Sequence, residues 1–316
     1  MPFVIAAVVS TLLTPLAITV ARRMSLVDRP GALKVHDRAV PLAGVAVAGA
    51  ALAALLTRST GRTAWLALAL AIALVTGLLD DRRTIRPTTR LLLQAAAAAA
   101  VVAGGAEISS LGPLAWGGAA LVVIATINAV NMVDGQDGLA SGLVVIAGIG
   151  LAILSGGGSP AIVPLAAAGA AAGFLPWNLP PARAFLGDGG AYVLGVLLGA
   201  GAIETASGGW PELLTAGACL GVFAYELLST VLRRLGHRAP TLAGDRDHSY
   251  DRLASRLRSR AASTYVMWIA GCVSVMIGLV VQHVRPLVGA LVIAAATAVA
   301  AAIHTRLRPS IPEVQR

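Results

Sequence analysis

Apolar residues run along this chain in stretches of about 17 to 21, separated by short segments that hold nearly all of the charge. Each stretch can cross ~30 Å of hydrocarbon as a helix. The runs fall near residues 3–21, 40–57, 64–79, 91–105, 114–133, 138–154, 161–177, 189–206, 213–232, 264–283 and 287–303. The pattern therefore predicts an all-α, polytopic membrane protein with about eleven transmembrane helices. The run at 91–105 is the weakest, because residues 95–100 are all alanine and only mildly apolar. The first run has no Lys or Arg before it and is read as a span, not as a cleaved signal peptide.

Composition agrees. Of 316 residues, 57% are hydrophobic and 12% charged, against roughly 25% charged in soluble domains. The 24 Lys and Arg fix an orientation. With the N-terminus outside, the inner segments 22–38, 82–90, 183, 233–260 and 304–316 carry 21 of the 24, and the outer ones keep Arg58, Arg62 and Arg285. The C-terminus is then cytoplasmic. A net charge of +9 is thereby explained as inner-face bias, with no need for nucleic acid. Cys219 and Cys272 both fall inside predicted spans and read as small packing residues, with no CxxC spacing. The chain reads as one integral membrane domain over residues 1–316. The polar stretch at 233–262 is too short to fold alone and is expected to form a cytoplasmic loop capping an inner-face site.

Ionisable residues at membrane depth are costly, so their placement carries information. Four clusters stand out, all on the predicted inner face. The first runs from Asp28 to Gly44 and contains Lys34 and His36, which could touch a phosphate or a base; a solvated basic loop serving topology is the plainer reading. The second pairs Asp80 with Asp81 at the end of an apolar helix, followed by Arg82, Arg83 and Arg90. Adjacent carboxylates repel and need a cation, a proton or arginines beside them. The third sets Asn128, Asn131 and Asp134 at helical spacing before an Asp-Gly-x-Asp-Gly break that includes Asp137. A plain turn explains the Asp-Gly pairs but not two Asn inside an apolar helix, and the pattern is not a calcium loop. The fourth carries Asn178, Phe185 and Asp188 between Gly-rich turns. Helix capping would account for Asp188 alone. Together the clusters supply oxygen ligands, amides, cations and close-approach glycines. That inventory suits Mg²⁺, with Mn²⁺ as the alternative, and a phosphorylated, nucleotide-bearing substrate. Zinc is disfavoured because its His/Cys spacing is missing.

These motifs, in this order, resemble the polyprenyl-phosphate N-acetylhexosamine-1-phosphate transferases, the family that includes the translocase starting lipid-linked peptidoglycan precursors. The likeness spans about Asp28 to Leu253. Its most specific part is Asn128–Gly142, similar to Asn-x-x-Asn-x-x-Asp-Gly-x-Asp-Gly-Leu-x-x-Gly. The resemblance implies Mg²⁺-dependent transfer of a sugar-1-phosphate from a UDP-sugar, a UDP-N-acetylhexosamine, to undecaprenyl phosphate. The products would be polyprenyl-diphospho-sugar and UMP, initiating cell-envelope glycan synthesis at the cytoplasmic face of a bacterial inner membrane. By the same resemblance Asp188, Asp80 and Asp81 are metal and catalytic residues, with Asp188 the ligand and the Asp pair on the lipid phosphate. Asn128, Asn131, Asp134 and Asp137 would hold nucleotide and ribose, Asn178 and Phe185 the uracil, with Lys34 and His36 nearby. His248 and Arg246 would come from the capping loop. Homodimer formation is a further implication.

Departures from the family pattern are specific. Tyr250 and Asp251 stand where two further histidines are usual, Glu226 where Asp is usual, Arg90 for Lys, Val45 for Gly and Ala191 for Ser. The altered capping loop leaves the sugar open. A non-catalytic nucleotide- or lipid-binding relative is the alternative reading. A transporter is a more distant one, because the carboxylates gather at inner helix ends instead of forming a path across the bilayer.

Overall fold

The computed structural model describes residues 1–29, 38–57, 61–236 and 247–307. The architecture is all-α. Every apolar run predicted above is helical: α1 (Pro2–Arg23), α2 (Val45–Leu56), α3 (Gly61–Arg82), α4 (Pro87–Ala103), α5 (Ala115–Val133), α6 (Leu139–Leu154), α7 (Ile162–Asn178), α8 (Gly187–Ala206), α9 (Trp210–Cys219), α10 (Gly221–Gly236), α12 (Arg260–Val281) and α13 (Pro286–Arg306). A helix of another kind, α11 (Ser249–Leu257), lies in the segment expected to be a loop. It is strongly amphipathic, with Tyr250, Asp251 and Ala254 buried. Its short length and charge hid it from a search for apolar runs.

By length and composition six helices can cross a membrane alone: α1, α3, α5 with the 3-10 turn before it, α8, α12 and α13. The predicted ninth run, 213–232, is corrected. It is not one helix but α9 and α10, meeting at 76°. Leu220 leaves helical geometry at the junction and Gly221 starts the new axis, a break of the kind glycine permits. Counted as one span the pair makes seven. The runs forming α2, α4, α6 and α7 give shorter apolar helices of 10–17 residues. Two residues at a time, β1 (Val27–Asp28) and β2 (Val40–Pro41) pair antiparallel beside them.

The core is built around α8. This helix is buried almost from end to end and packs against α2, α3, α4, α5, α6, α7 and α9. Small residues permit it. A Cβ on Gly77 of α3 would sit 2.3 Å from the Gly189 backbone nitrogen, and one on Gly44 would sit 2.5 Å from the Gly190 Cα. Backbones in such contact gain dispersion and weak polar attraction, the main association terms where lipid is as apolar as leucine. The outer helices differ. Leu12 and Leu16 of α1 are exposed, and in α13 only Gly289 is buried. Those apolar faces are what a lipid-solvated surface requires.

Gly77→Ala should therefore destabilise the protein by roughly 1–3 kcal/mol or more, because the new methyl meets backbone that cannot rotate away. Gly117→Ala, on an open face of α5 with nothing within 4 Å, should be neutral or stabilising by up to about 1 kcal/mol. Thermal unfolding in one detergent distinguishes the two, and equal melting temperatures would refute the close-contact account.

Candidate active site

The ends of α3, α5 and α8 meet, and the carboxylates they carry are brought together there. Asp81, at the last turn of α3, accepts hydrogen bonds from the backbone N–H groups of Asp188 (2.9 Å) and Gly189 (3.2 Å). It thus caps α8 from another helix, placing an anion at the positive end of the helix dipole. Gly187 makes this possible. Its φ is +64°, and a Cβ there would lie 2.8 Å from an Asp81 oxygen, so a side chain would meet both strain and clash.

Asp80 is held differently. It is buried and accepts from the Ile85 N–H (2.9 Å), the Tyr192 hydroxyl (3.1 Å) and Arg90 (3.4 Å). Arg90 comes from the first turn of α4 and Tyr192 from α8, so one carboxylate ties three helices. Tyr192 was not among the candidates, though it lies four residues after Asp188 and hence on the same face of α8. That spacing was the available signal.

Asp188 accepts from the Asn131 amide at 2.6 Å. Asn131 leads to Asp134, which ends α5. Burial, then the charges of Asp188, Asp81 and Asp137, hold the Asp134 carboxyl well above its ordinary value of 3.8. The cluster thus gathers Asp80, Asp81, Asp134 and Asp188 with Arg90 as a bonded cation.

The remaining candidates are tied mainly into the scaffold around this cluster. Asn128 donates to Gln94 (2.7 Å), an amide pair joining α5 to α4. Asp137 accepts from the Ala182 N–H (2.9 Å) and so straps down the turn after α7. Asn178 is buried, accepting from Ser141 (2.8 Å) and donating to the Ala184 carbonyl (3.0 Å). Its amide holds the Pro-Pro turn. Half-buried Phe185 joins the same turn to β2, its N–H donating to Pro41 and its carbonyl accepting from Ala43. Lys34, His36 and Arg246 lie outside the described residues.

Helix α11 sits against the Asp-Gly-x-Asp-Gly turn. The Tyr250 hydroxyl donates to the Met132 carbonyl (2.8 Å) and the ring fills the space a Cβ on Gly135 would need. Gln136 donates to the Tyr250 carbonyl (3.1 Å). His248 stacks on Tyr250 with centroids 5.1 Å apart, and its Nδ1 lies 3.6 Å from Glu226, a fully buried carboxylate of α10. The unusual Tyr250 thus anchors the capping segment to the third motif.

Among the described residues no three His, Cys, Asp or Glu side chains form a ready metal cage. The donor set still suits Mg²⁺, which commonly takes one or two carboxylates and fills its other positions with water and substrate phosphate. Asp80 and Asp81 are engaged by protein donors. Asp188 accepts from Asn131 and stays half-buried, and the cluster's excess of carboxylates favours a divalent cation electrostatically.

The fold and this cluster define an all-α integral membrane enzyme. Residues 63–206 match the profile of glycosyl transferase family 4. The chain is 27% identical over 294 residues to the probable undecaprenyl-phosphate N-acetylglucosaminyl 1-phosphate transferase of Bacillus subtilis (strain 168), covering 85% of this chain and 81% of that one. It is 31% identical over 319 residues to the decaprenyl-phosphate N-acetylglucosaminephosphotransferase of Mycolicibacterium smegmatis, covering 84% and 78%. To the undecaprenyl-phosphate alpha-N-acetylglucosaminyl 1-phosphate transferase of Thermotoga maritima it is 29% identical over 252 residues, covering 77% and 78%. The chain belongs to glycosyl transferase family 4.

Two stability changes of opposite sign follow from the cluster. Because folding raises the Asp134 pKa, the unfolded chain holds fewer protons there, and metal-free stability falls as pH rises above 3.8 toward the folded value. Asp134→Asn should raise the metal-free melting temperature at neutral pH and flatten that decline. Asp81→Asn should lower that melting temperature, a loss of roughly 1–3 kcal/mol of stability through the weakened cap. Melting curves across pH in chelator check both. A lower melting temperature for Asp134→Asn would refute the repulsion argument.

Proposed function

We propose that this protein transfers N-acetylhexosamine-1-phosphate from a UDP-sugar to a polyprenyl phosphate, releasing UMP. The observation that carries the reading is the meeting of Asp80, Asp81, Asp134 and Asp188 at the joined ends of α3, α5 and α8. The family membership and the relatives' activities on undecaprenyl or decaprenyl phosphate support it.

The chemistry is a displacement at phosphorus. An oxygen of the lipid phosphate attacks the sugar-linked β-phosphorus. The bond from that phosphorus to the bridging oxygen breaks, and UMP leaves with the electron pair. Both reactants are anionic, so most of the task is charge compensation and positioning. Bound Mg²⁺ would supply much of that compensation, with Asp188 as its protein ligand. Asp81 keeps Asp188 at the start of α8, and Asn131 fixes the direction of its carboxylate. Asp80, oriented by Arg90 and Tyr192, would take any proton the lipid phosphate still carries. Asp134 faces the donor's nucleotide end in this reading, with His248 closing the cap above it.

The proposal extends to topology: eleven crossings, with α9 and α10 as one broken span and α2, α4, α6 and α7 as short ones, N-terminus outside and the cluster on the cytoplasmic face. The placement of 21 of 24 basic residues supports it.

The test is UMP release by purified protein supplied with undecaprenyl phosphate, Mg²⁺ and a panel of UDP-sugars. One N-acetylhexosamine donor should give lipid-dependent UMP, chelator should abolish it, and Asp188→Asn should lower it at least ~10³-fold while keeping the native melting profile. Full activity in Asp188→Asn would sink the site. Silence across the panel from folded protein would sink the reaction.

A further inference from the structure

Helix α13 is the least buried of the six long helices, yet its last turn reaches the capping segment. Gly289 is its one buried residue, and Leu291, Val299 and Ile303 are each more than half exposed. It packs against α12 and α9. Between apolar helices in a bilayer, lipid competes for the same surface, so this packing alone fixes the helix weakly. The C-terminal end is held by polar contacts instead. His304 Nδ1 lies 2.9 Å from Ser249 Oγ, the Tyr225 hydroxyl donates to the Ala300 carbonyl (3.4 Å), and Arg252 donates to the Leu307 carbonyl (3.5 Å). The His304 ring also meets Tyr225 edge-on, with centroids 6.1 Å apart. Ser249 and Arg252 both belong to α11.

Helix α11 needs such support. At nine residues it is shorter than a helix that persists unaided in water. Tyr250 and Ala254 form its buried side, where the Tyr250 carbonyl accepts from Gln136 (3.1 Å) and Ser263 (2.8 Å). Ser249 and Arg252, one turn apart, lie on the opposite side. The Arg252 guanidinium is already aimed: two of its nitrogens donate to Asp247 at 2.7 Å, and the third reaches Leu307. The Ser249 N–H donates to Glu226 (3.3 Å), one residue from His248, whose ring stacks on Tyr250. A displacement of Ser249 is thus transmitted to His248 and Tyr250 by the backbone they share.

We propose that His304 is a positioning residue for the transferase: through Ser249 it holds α11 against the Asp-Gly-x-Asp-Gly turn, acting from the side of α11 that faces away from that turn. This rests on the reading of α11 as the cap over the donor's nucleotide end. The bond persists whichever atom carries the proton, since a neutral imidazole accepts from the hydroxyl or donates to it according to its tautomer. Because α13 adds so little to the core, breaking the bond leaves the helices around α8 packed and releases the cap alone. Donor affinity then falls, and turnover of bound donor does not.

The test uses the full chain in phosphatidylcholine nanodiscs, with hydrogen exchange and steady-state kinetics as separate readouts. Ser249→Ala and His304→Ala should each speed exchange of the α11 amides by roughly 3- to 10-fold, the range one neutral hydrogen bond allows. Amides of α8 should not change. The double variant should be no faster than either single one, since both remove the same bond. His304→Asn, which sets a polar amide near the place of Nδ1, should restore the slow exchange. In kinetics, KM for the UDP-sugar should rise by a similar factor with kcat held. Unchanged α11 exchange overturns the proposal, as does exchange that quickens equally in α8, which marks general loss of packing. Additive effects in the double variant overturn the bond as the cause. Faster α11 exchange with an unmoved KM overturns the positioning role. Exchange needs no substrate, so wild-type protein that turns over no donor sinks the transferase reading, while the hold of α13 on α11 is still decided by exchange.

Discussion

The hydrogen bonds from the Asp188 and Gly189 N–H groups to Asp81 are the constraint on which the rest of the site depends. A helix begins with N–H groups that have no partner in its own backbone, and in a buried position they must find one. Helix α8 begins deep among its neighbours and no residue before it supplies a side-chain cap. The acceptor comes from α3 instead. That choice fixes how far α3 and α8 interpenetrate, which requires Gly77 and Gly187. It also leaves Asp188 pointing away from the helix, toward Asn131. The adjacent Asp80 then faces Arg90 and Tyr192. Two neighbouring carboxylates that would repel in isolation are separated by what each one binds.

Much of this was legible in the chain and some was not. Helix existence and type followed from the length of the apolar runs, since a membrane leaves few other ways to satisfy the backbone. The bend at Leu220 was not visible, because Gly217 and Gly221 look no different from glycines in unbroken helices of this chain. Helix α11 was missed for the opposite reason, its charged residues outweighing a single buried face. In the site, the convergence of Asp80, Asp81, Asp134 and Asp188 could be anticipated from the common side that the run pattern predicts for them. The division of labour could not. Asn178 and Asp137 are polar residues in a motif, yet the bonds they make are to the turn after α7. Motif spacing carries no information on whether an amide faces a ligand or a neighbouring carbonyl.

The substitutions peculiar to this chain have a shared structural setting. Glu226, His248 and Tyr250 form one stack leading from α10 to Gly135. Tyr250 stands where an imidazole is usual and contributes a ring and a hydroxyl. The hydroxyl caps the Met132 carbonyl at the end of α5 and the Tyr250 carbonyl accepts from Gln136, so the segment is anchored by packing and neutral bonds. Glu226, longer by one methylene than the usual Asp, also receives the Ser249 N–H at the start of α11. The departures at Glu226 and Tyr250 are thereby mutually consistent.

Helix α8 is the least apolar of the six long helices and the most completely enclosed. A segment of that kind gains little from lipid alone. Its partners α2 through α7 precede it in the chain and only α9 follows, and the carboxylate that completes its first turn lies 107 residues upstream. Six of the seven helices that enclose α8 are therefore made before it, and their packing surfaces await a partner made later.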